Sequence, residues 1–208
     1  MKFKNIINQL LNSTNVWLIY FFGFVPAGYY FYKALLNKLG PDPLIVLEHS
    51  LGEWALNFLI AVLSIRPIND FLKINLVKFR RALGLIAFGY VVLHVSTYII
   101  LDRQLLWEEI IKDITKRPYI IFGGVAFFLL VPLAVTSNFY SIKRLGPKYW
   151  KALHRLVYFA ALASIAHYIL SVKSWPIQPI IYSLVIISLI VYRLKLIWFF
   201  KKLVNNFL

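Results

Sequence analysis

The chain has 208 residues, 61% of them hydrophobic, a mean hydropathy of +0.72 and a formal net charge of +15. Soluble domains are nearer half apolar and more highly charged than the 15% found here, so a soluble fold is excluded and a polytopic α-helical membrane bundle is expected. The 23 Lys and Arg fall in short clusters between apolar runs, which suits membrane lipid headgroups and argues against nucleic acid as their partner.

Residues 1–15 read as an amphipathic surface segment, without the apolar stretch and small-residue site of a removable signal peptide. A first span, 16–36, carries Pro26 and Gly28 as a local kink, and Asn37 to Pro43 is a turn. The second span, about 45–65, has Glu48, His49 and Glu53 near its start and is expected to end at Arg66-Pro67. A basic loop follows over 66–82, with Arg80 and Arg81, then a third span of about 82–101 holding His94. Residues 102–117 have apolar positions at helical spacing and suggest a short surface helix.

The fourth span, about 118–136, opens on Arg117-Pro118 and is followed by a second basic loop over 137–152. The fifth span, about 152–171, is read as one helix continuous with Trp150 and containing His154 and His167. A turn at Lys173 to Pro179 leads to a sixth span, about 179–198, and a basic tail over 199–208. Taking the N-terminus as cytoplasmic, 16 of the 23 Lys and Arg lie on that side and 7 on the other, which favours six spans with both termini in the cytoplasm. The expected organisation is thus an all-α six-helix transmembrane domain over 16–198, between the surface segment and the tail.

The absence of cysteine rules out disulfides, Cys-ligated zinc, iron–sulfur clusters and C-x-x-C-H haem attachment. A buried metal centre must therefore use histidine, carboxylate or tyrosine. Ionisable groups inside a bilayer are rare, which singles out the histidines. With this topology the third and fifth spans run parallel, and His94 and His167 fall at nearly the same depth in the outer half. Two imidazoles from neighbouring helices are what a b-type haem iron takes; the plainer alternative is two hydrogen-bonded polar residues at helix interfaces.

His154 lies at the cytoplasmic end, about 13 residues and roughly 20 Å from His167 on a continuous helix, but some 140° away in azimuth. Its counterpart position on the third span is Arg81, and guanidinium offers no lone pair to iron. Arg80 and Arg81 suit haem propionates, a flavin phosphate or a quinone oxygen, or else serve as topology signals. Trp150 and Tyr158 flank His154 and are candidates to pack on a cofactor. His49 could contact a partner, relay protons or meet a quinone.

Several stretches carry a family resemblance. They are Asp42-Pro43 with His49-Ser-Leu-Gly-Glu-Trp-Ala-Leu56, Arg80-Arg81-Ala-Leu-Gly84 with His94-Val-Ser-Thr-Tyr98, Thr115-Lys-Arg-Pro-Tyr119, Leu145-Gly146, Trp150-Lys-Ala-Leu-His154-Arg-Leu-Val-Tyr158, and His167-Tyr-Ile-Leu-Ser-Val-Lys173. In this order, over roughly residues 40–195, the chain resembles the MsrQ (YedZ) family, haem subunits of bacterial methionine-sulfoxide reductase systems within the ferric-reductase-like transmembrane domains.

The resemblance implies haem b, one or two per chain, and FMN. It implies electrons drawn from the quinone pool or a cytosolic flavin reductase and delivered across the inner membrane to a periplasmic MsrP-type molybdopterin subunit, where sulfoxide reduction would occur. It makes His94 and His167 the outer haem ligands and His154 the inner histidine, with Arg81 in place of the superfamily's fourth histidine. It also implies that reduced nicotinamide is not the direct donor. Two other functions fit the residues: a stand-alone ferric or quinone oxidoreductase, and a small proton-coupled transporter.

Overall fold

A computed structural model describes residues 2–172 and 176–206, with side chains over 4–172 and 176–195. Among the described residues nine α-helices follow in chain order: α1 (Lys2–Ser13), α2 (Val16–Leu35), α3 (Pro43–Leu72), α4 (Arg80–Ser96), α5 (Trp107–Lys116), α6 (Pro118–Val135), α7 (Phe139–Leu153), α8 (Leu156–Ser171) and α9 (Ile177–Asn206). No strand occurs among the described residues. A 3₁₀ turn (Val77–Phe79) leads into α4, and a π-helical segment (Thr97–Asp102) continues it.

Among the described residues four helical stretches are long and apolar enough to cross a membrane: Pro43–Leu72, Val77–Asp102, Pro118–Val135 and Ile177–Lys195. Two bent pairs, Lys4–Ser13 with Val16–Leu35 at 86° and Phe139–Leu153 with Leu156–Ser171 at 43°, raise the number to six if each counts as one span. The chain is therefore an all-helical multi-pass membrane protein.

Local chemistry sets the helix starts. Asn15 accepts from Trp17 N at 3.0 Å and caps α2, Asn138 accepts from Ser141 N at 2.7 Å and caps α7, and Pro43 and Pro118 occupy first turns, where no N–H is needed.

The structure corrects three of the sequence expectations. Arg66-Pro67 does not end the second span: α3 runs on to Leu72, because proline removes only one ladder donor, and the helix stops where Lys73 turns left-handed (φ 59°). The second basic loop is largely helical, forming α7, with its one break at Gly146 (φ 76°) before Pro147. The fifth span is not one continuous helix from Trp150, since the chain turns at His154 and Arg155 between α7 and α8. The axial distance and azimuth inferred between His154 and His167 therefore do not apply. Of the expected turn at 173–179, residues 173–175 lie outside the described residues.

Three buried clusters hold the bundle. Leu56, Leu59 and Leu63 of α3 pack with Ala161 and Ile165 of α8 and Ile186 and Ile190 of α9. Leu47 and Leu51 of α3 pack with Ala27 of α2 and with Ile86 and Tyr90 of α4. Leu130 and Leu133 of α6 pack with Ala160 of α8. Ala160 and Ala161 are fully buried, as expected where helices in lipid gain stability by close backbone approach.

Tyr90 is the polar pin of the second cluster. Its hydroxyl donates to Gly23 O at 2.8 Å and accepts from Ala27 N at 3.0 Å, joining α2 to α4 beside Pro26. Tyr90→Phe should lower unfolding stability in detergent by about 1–3 kcal/mol, the usual effect of stranding buried polar groups. A thermal melt followed by circular dichroism checks this, and an unchanged midpoint would remove Tyr90 from that role.

Candidate functional site

α3 and α4 pack as an antiparallel pair, as do α6 and α8. The four thus present the start of α3, the end of α4, the start of α6 and the end of α8 at one end of the bundle. His94 and His167 meet there, with ring centres 6.0 Å apart and planes at 82°.

Each ring is fixed in the same way. His94 Nδ1 donates to Glu48 O at 2.9 Å, and His167 Nδ1 donates to Tyr119 O at 2.7 Å. A carbonyl can only accept, so these bonds place the proton on Nδ1 and leave the Nε2 lone pair free. Four residues after each carbonyl stands a glycine against which the imidazole lies. A Cβ at Gly52 would fall 3.3 Å from His94 Nδ1, and one at Gly123 would fall 2.8 Å from His167 Nδ1. The absent side chains are what let each ring reach the neighbouring backbone.

The 6.0 Å between ring centres leaves room for one metal ion held by both imidazoles, and these two residues would hold a haem iron. Nδ1–H bonds to backbone carbonyls are the usual outer-shell support of ligating histidines. No group of three or more His, Asp or Glu able to hold a bare ion occurs among the described residues, whereas a porphyrin iron asks the protein for only two ligands.

An ionic cap closes this end. Asp113 of α5 is buried and accepts from Tyr98 OH at 3.1 Å. It also pairs with Arg103 at 2.8 Å and Arg117 at 3.6 Å. The Tyr119 hydroxyl, 3.4 Å from the Arg117 guanidinium, and the Asp113 carboxylate behind it hold that guanidinium above its ordinary pKa. The cap anchors the expected surface helix beside Tyr119, whose ring lies 5.6 Å from His167. His49 is exposed, within electrostatic range of both imidazoles.

His154 lies at the opposite, basic end. Its Nε2 shares a 3.1 Å hydrogen bond with the Thr136 hydroxyl, and Trp150 stacks on it at 3.9 Å while donating to Thr136 O at 2.9 Å. Thr136, which the sequence did not single out, thus engages Nε2 of His154. Arg80 and Arg81 are exposed at the first turn of α4. Arg80 is within electrostatic range of His154, and Arg81 forms no ion pair or side-chain hydrogen bond among the described residues. Tyr158 is half-buried on α8 at the edge of the first core cluster.

The sequence reading also missed Gly52, Gly123 and the carbonyls of Glu48 and Tyr119. A residue–glycine spacing of four at both places was the available signal, but such a spacing is common in membrane helices and identifies a seat only once a ring is known to face it.

The family model described as "Ferric reductase like transmembrane component" matches residues 49–165. Proteins named "Protein-methionine-sulfoxide reductase heme-binding subunit MsrQ" from Brucella ovis and Brucella canis are 49% identical over 179 residues, covering 86% of this chain and 81% of theirs. The protein of the same name from Brucella melitensis biotype 2 is 48% identical over the same length. No solved structure matches.

Gly123→Ala should push His167 off its carbonyl, whereas Gly124→Ala, which meets nothing within 4 Å, should be tolerated. Haem content per purified chain is the readout. Equal content in the two variants would show that the glycine seat is not needed.

Proposed function

The chain belongs to the ferric-reductase-like transmembrane family and, within it, to the MsrQ subunits, and on that premise we propose that it is the haem-binding electron-transfer subunit of a protein-methionine-sulfoxide reductase system. The observation that supports this most is the facing pair His94 and His167, each oriented by a carbonyl and each with Nε2 free. These two residues would hold the iron. Haem b, when bound, supplies a one-electron centre tuned by its axial imidazoles and its burial.

The chain's own residues do the positioning. Glu48 O and Tyr119 O fix the ring tautomers, and Gly52 and Gly123 leave room for the rings. The Asp113 cap keeps water from the end of the bundle nearest the site. One haem b per chain is the proposed count, because Thr136 and Trp150 already engage His154.

The proposed topology has six spans over 16–198, with the surface segment 1–15 and the tail 199–208 both on the cytoplasmic side of a bacterial inner membrane. The clustering of Lys and Arg at the end holding Arg80, Arg81 and α7 supports it. A reduced quinone or flavin, FMN among them, drawn from the quinone pool or a cytosolic flavin reductase, would dock there against Arg80, Arg81, His154, Trp150 and Tyr158. At the other end His49, residues 102–117 and the 173–179 turn would meet a periplasmic MsrP-type molybdopterin subunit, where the sulfoxide is reduced.

His94→Ala and His167→Ala should each remove most of the Soret absorbance of the purified protein, while His154→Ala should keep it. Haem quantitation should give about one per chain in the wild type. Retention of full haem by both ligand variants would reject the assignment.

A further inference from the structure

The two oxygens of the buried Asp113 carboxylate serve different elements. Oδ2 accepts from the Tyr98 hydroxyl at 3.1 Å and pairs with the Arg103 guanidinium at 2.8 Å. Tyr98 lies in the π-helical continuation of α4, and Arg103 ends it. Oδ1 faces Arg117 Nε at 3.6 Å, at the corner between α5 and α6. The backbone ties the same corner to Asp113, since Arg117 N donates to Asp113 O at 2.8 Å.

Each side of the carboxylate leads to one of the two facing imidazoles. Tyr98 stands four residues after His94 on the same helical run. Tyr119, whose carbonyl accepts from His167 Nδ1 at 2.7 Å, stands two residues after Arg117 in the first turn of α6. The Arg117 guanidinium also reaches the Tyr119 hydroxyl at 3.4 Å. Asp113 thus spans the gap between the helix that carries His94 and the corner that holds His167. Stability alone does not account for it. Burying charges costs desolvation, and apolar packing of similar volume holds a helix about as well. Ile110, buried on the same helix, already provides such packing. The carboxylate adds direction and distance, because hydrogen bonds are confined to a narrow geometry that apolar contacts do not impose. The other acids of α5, Glu108 and Glu109, are exposed.

We propose that Asp113 is a positioning residue for the facing histidines: it braces the continuation of α4 against the α5–α6 corner and so fixes the separation and relative tilt of the His94 and His167 rings. It acts through Tyr98 on one side and through Arg117 and Tyr119 on the other. The inference rests on the reading of His94 and His167 as haem ligands. Their ring planes stand at 82°. The largest g value of a low-spin haem rises as its two axial ring planes approach perpendicular, so electron paramagnetic resonance reports on the brace.

The test uses the full-length, haem-loaded protein in detergent and records haem content, the low-spin resonance and the haem midpoint potential. The variants are Asp113→Asn, Asp113→Glu and Tyr98→Phe, with Lys112→Ala as a control, an exposed α5 residue whose side chain pairs with Glu109 at 3.8 Å. Asp113→Asn should keep most of the haem and lower the largest g value. Asp113→Glu, which keeps the charge, should return part of that loss. Tyr98→Phe, which removes one donor and no charge, should shift the signal in the same direction by less, and Lys112→Ala should match the wild type. Wild-type g values in Asp113→Asn overturn the proposal, even with a moved midpoint potential, since a charge acting at a distance would then suffice. If Asp113→Asn does not fold, Tyr98→Phe decides, and a wild-type signal there overturns the proposal. Loss of haem in His94→Ala and His167→Ala beside unmoved g values in the Asp113 variants removes only the brace. Full haem in both histidine variants removes the ligand reading and the brace with it.

Discussion

Two N–H···O=C bonds, from His94 to Glu48 and from His167 to Tyr119, are the constraint around which the bundle is arranged. Each carbonyl sits inside a helix, where one lone pair faces the ladder and the second is free to accept a side-chain donor. An imidazole reaches that second lone pair only by lying flat on the helix, and the glycine one turn later allows it. His94 is oriented by α3 and His167 by α6, so the two rings belong to different helix pairs. Their meeting depends on the third buried cluster, where Leu130 and Leu133 of α6 seat against Ala160 of α8 and Phe88 and Val91 of α4 pack on them.

The two ends of the bundle solve their electrostatics differently. At the histidine end, one buried carboxylate, Asp113, gathers two guanidinium groups and a tyrosine hydroxyl into a closed network. At the other end a single carboxylate faces a crowd of cations and is held by Arg66 and Tyr192. At the first end Asp102 also pairs with Arg103, at 3.2 Å, so two carboxylates balance two guanidinium groups, while the other end carries an excess of positive charge.

Much of this could be read from residues alone. The apolar runs found the apolar helices, although α3 runs seven residues past its expected end, and depth matching on parallel spans paired His94 with His167 out of four histidines. The surface helix at 107–116 followed from apolar spacing. What escaped was whatever depends on a neighbour. Pro67 looked like a stop because its effect on the ladder is local, yet the helix continues through it. The break at His154 carries no glycine or proline to mark it. The burial of Arg193 is likewise hidden, since sequence reveals that a residue is basic but not that its side chain turns inward.

The π-helical segment Thr97–Asp102 carries a further implication. A π turn accommodates one residue more than an α turn, and such bulges gather at functional sites. Here it begins three residues after His94 and resets the helical phase for everything beyond. His94 can then address α3 while Tyr98 and Arg103 address Asp113. An unbroken α-helix would rotate the distal residues by about 100° for each residue dropped, so one set of contacts or the other would be lost. The bulge works as a phase adjuster that lets a single helix serve two partners whose angular positions are incommensurate.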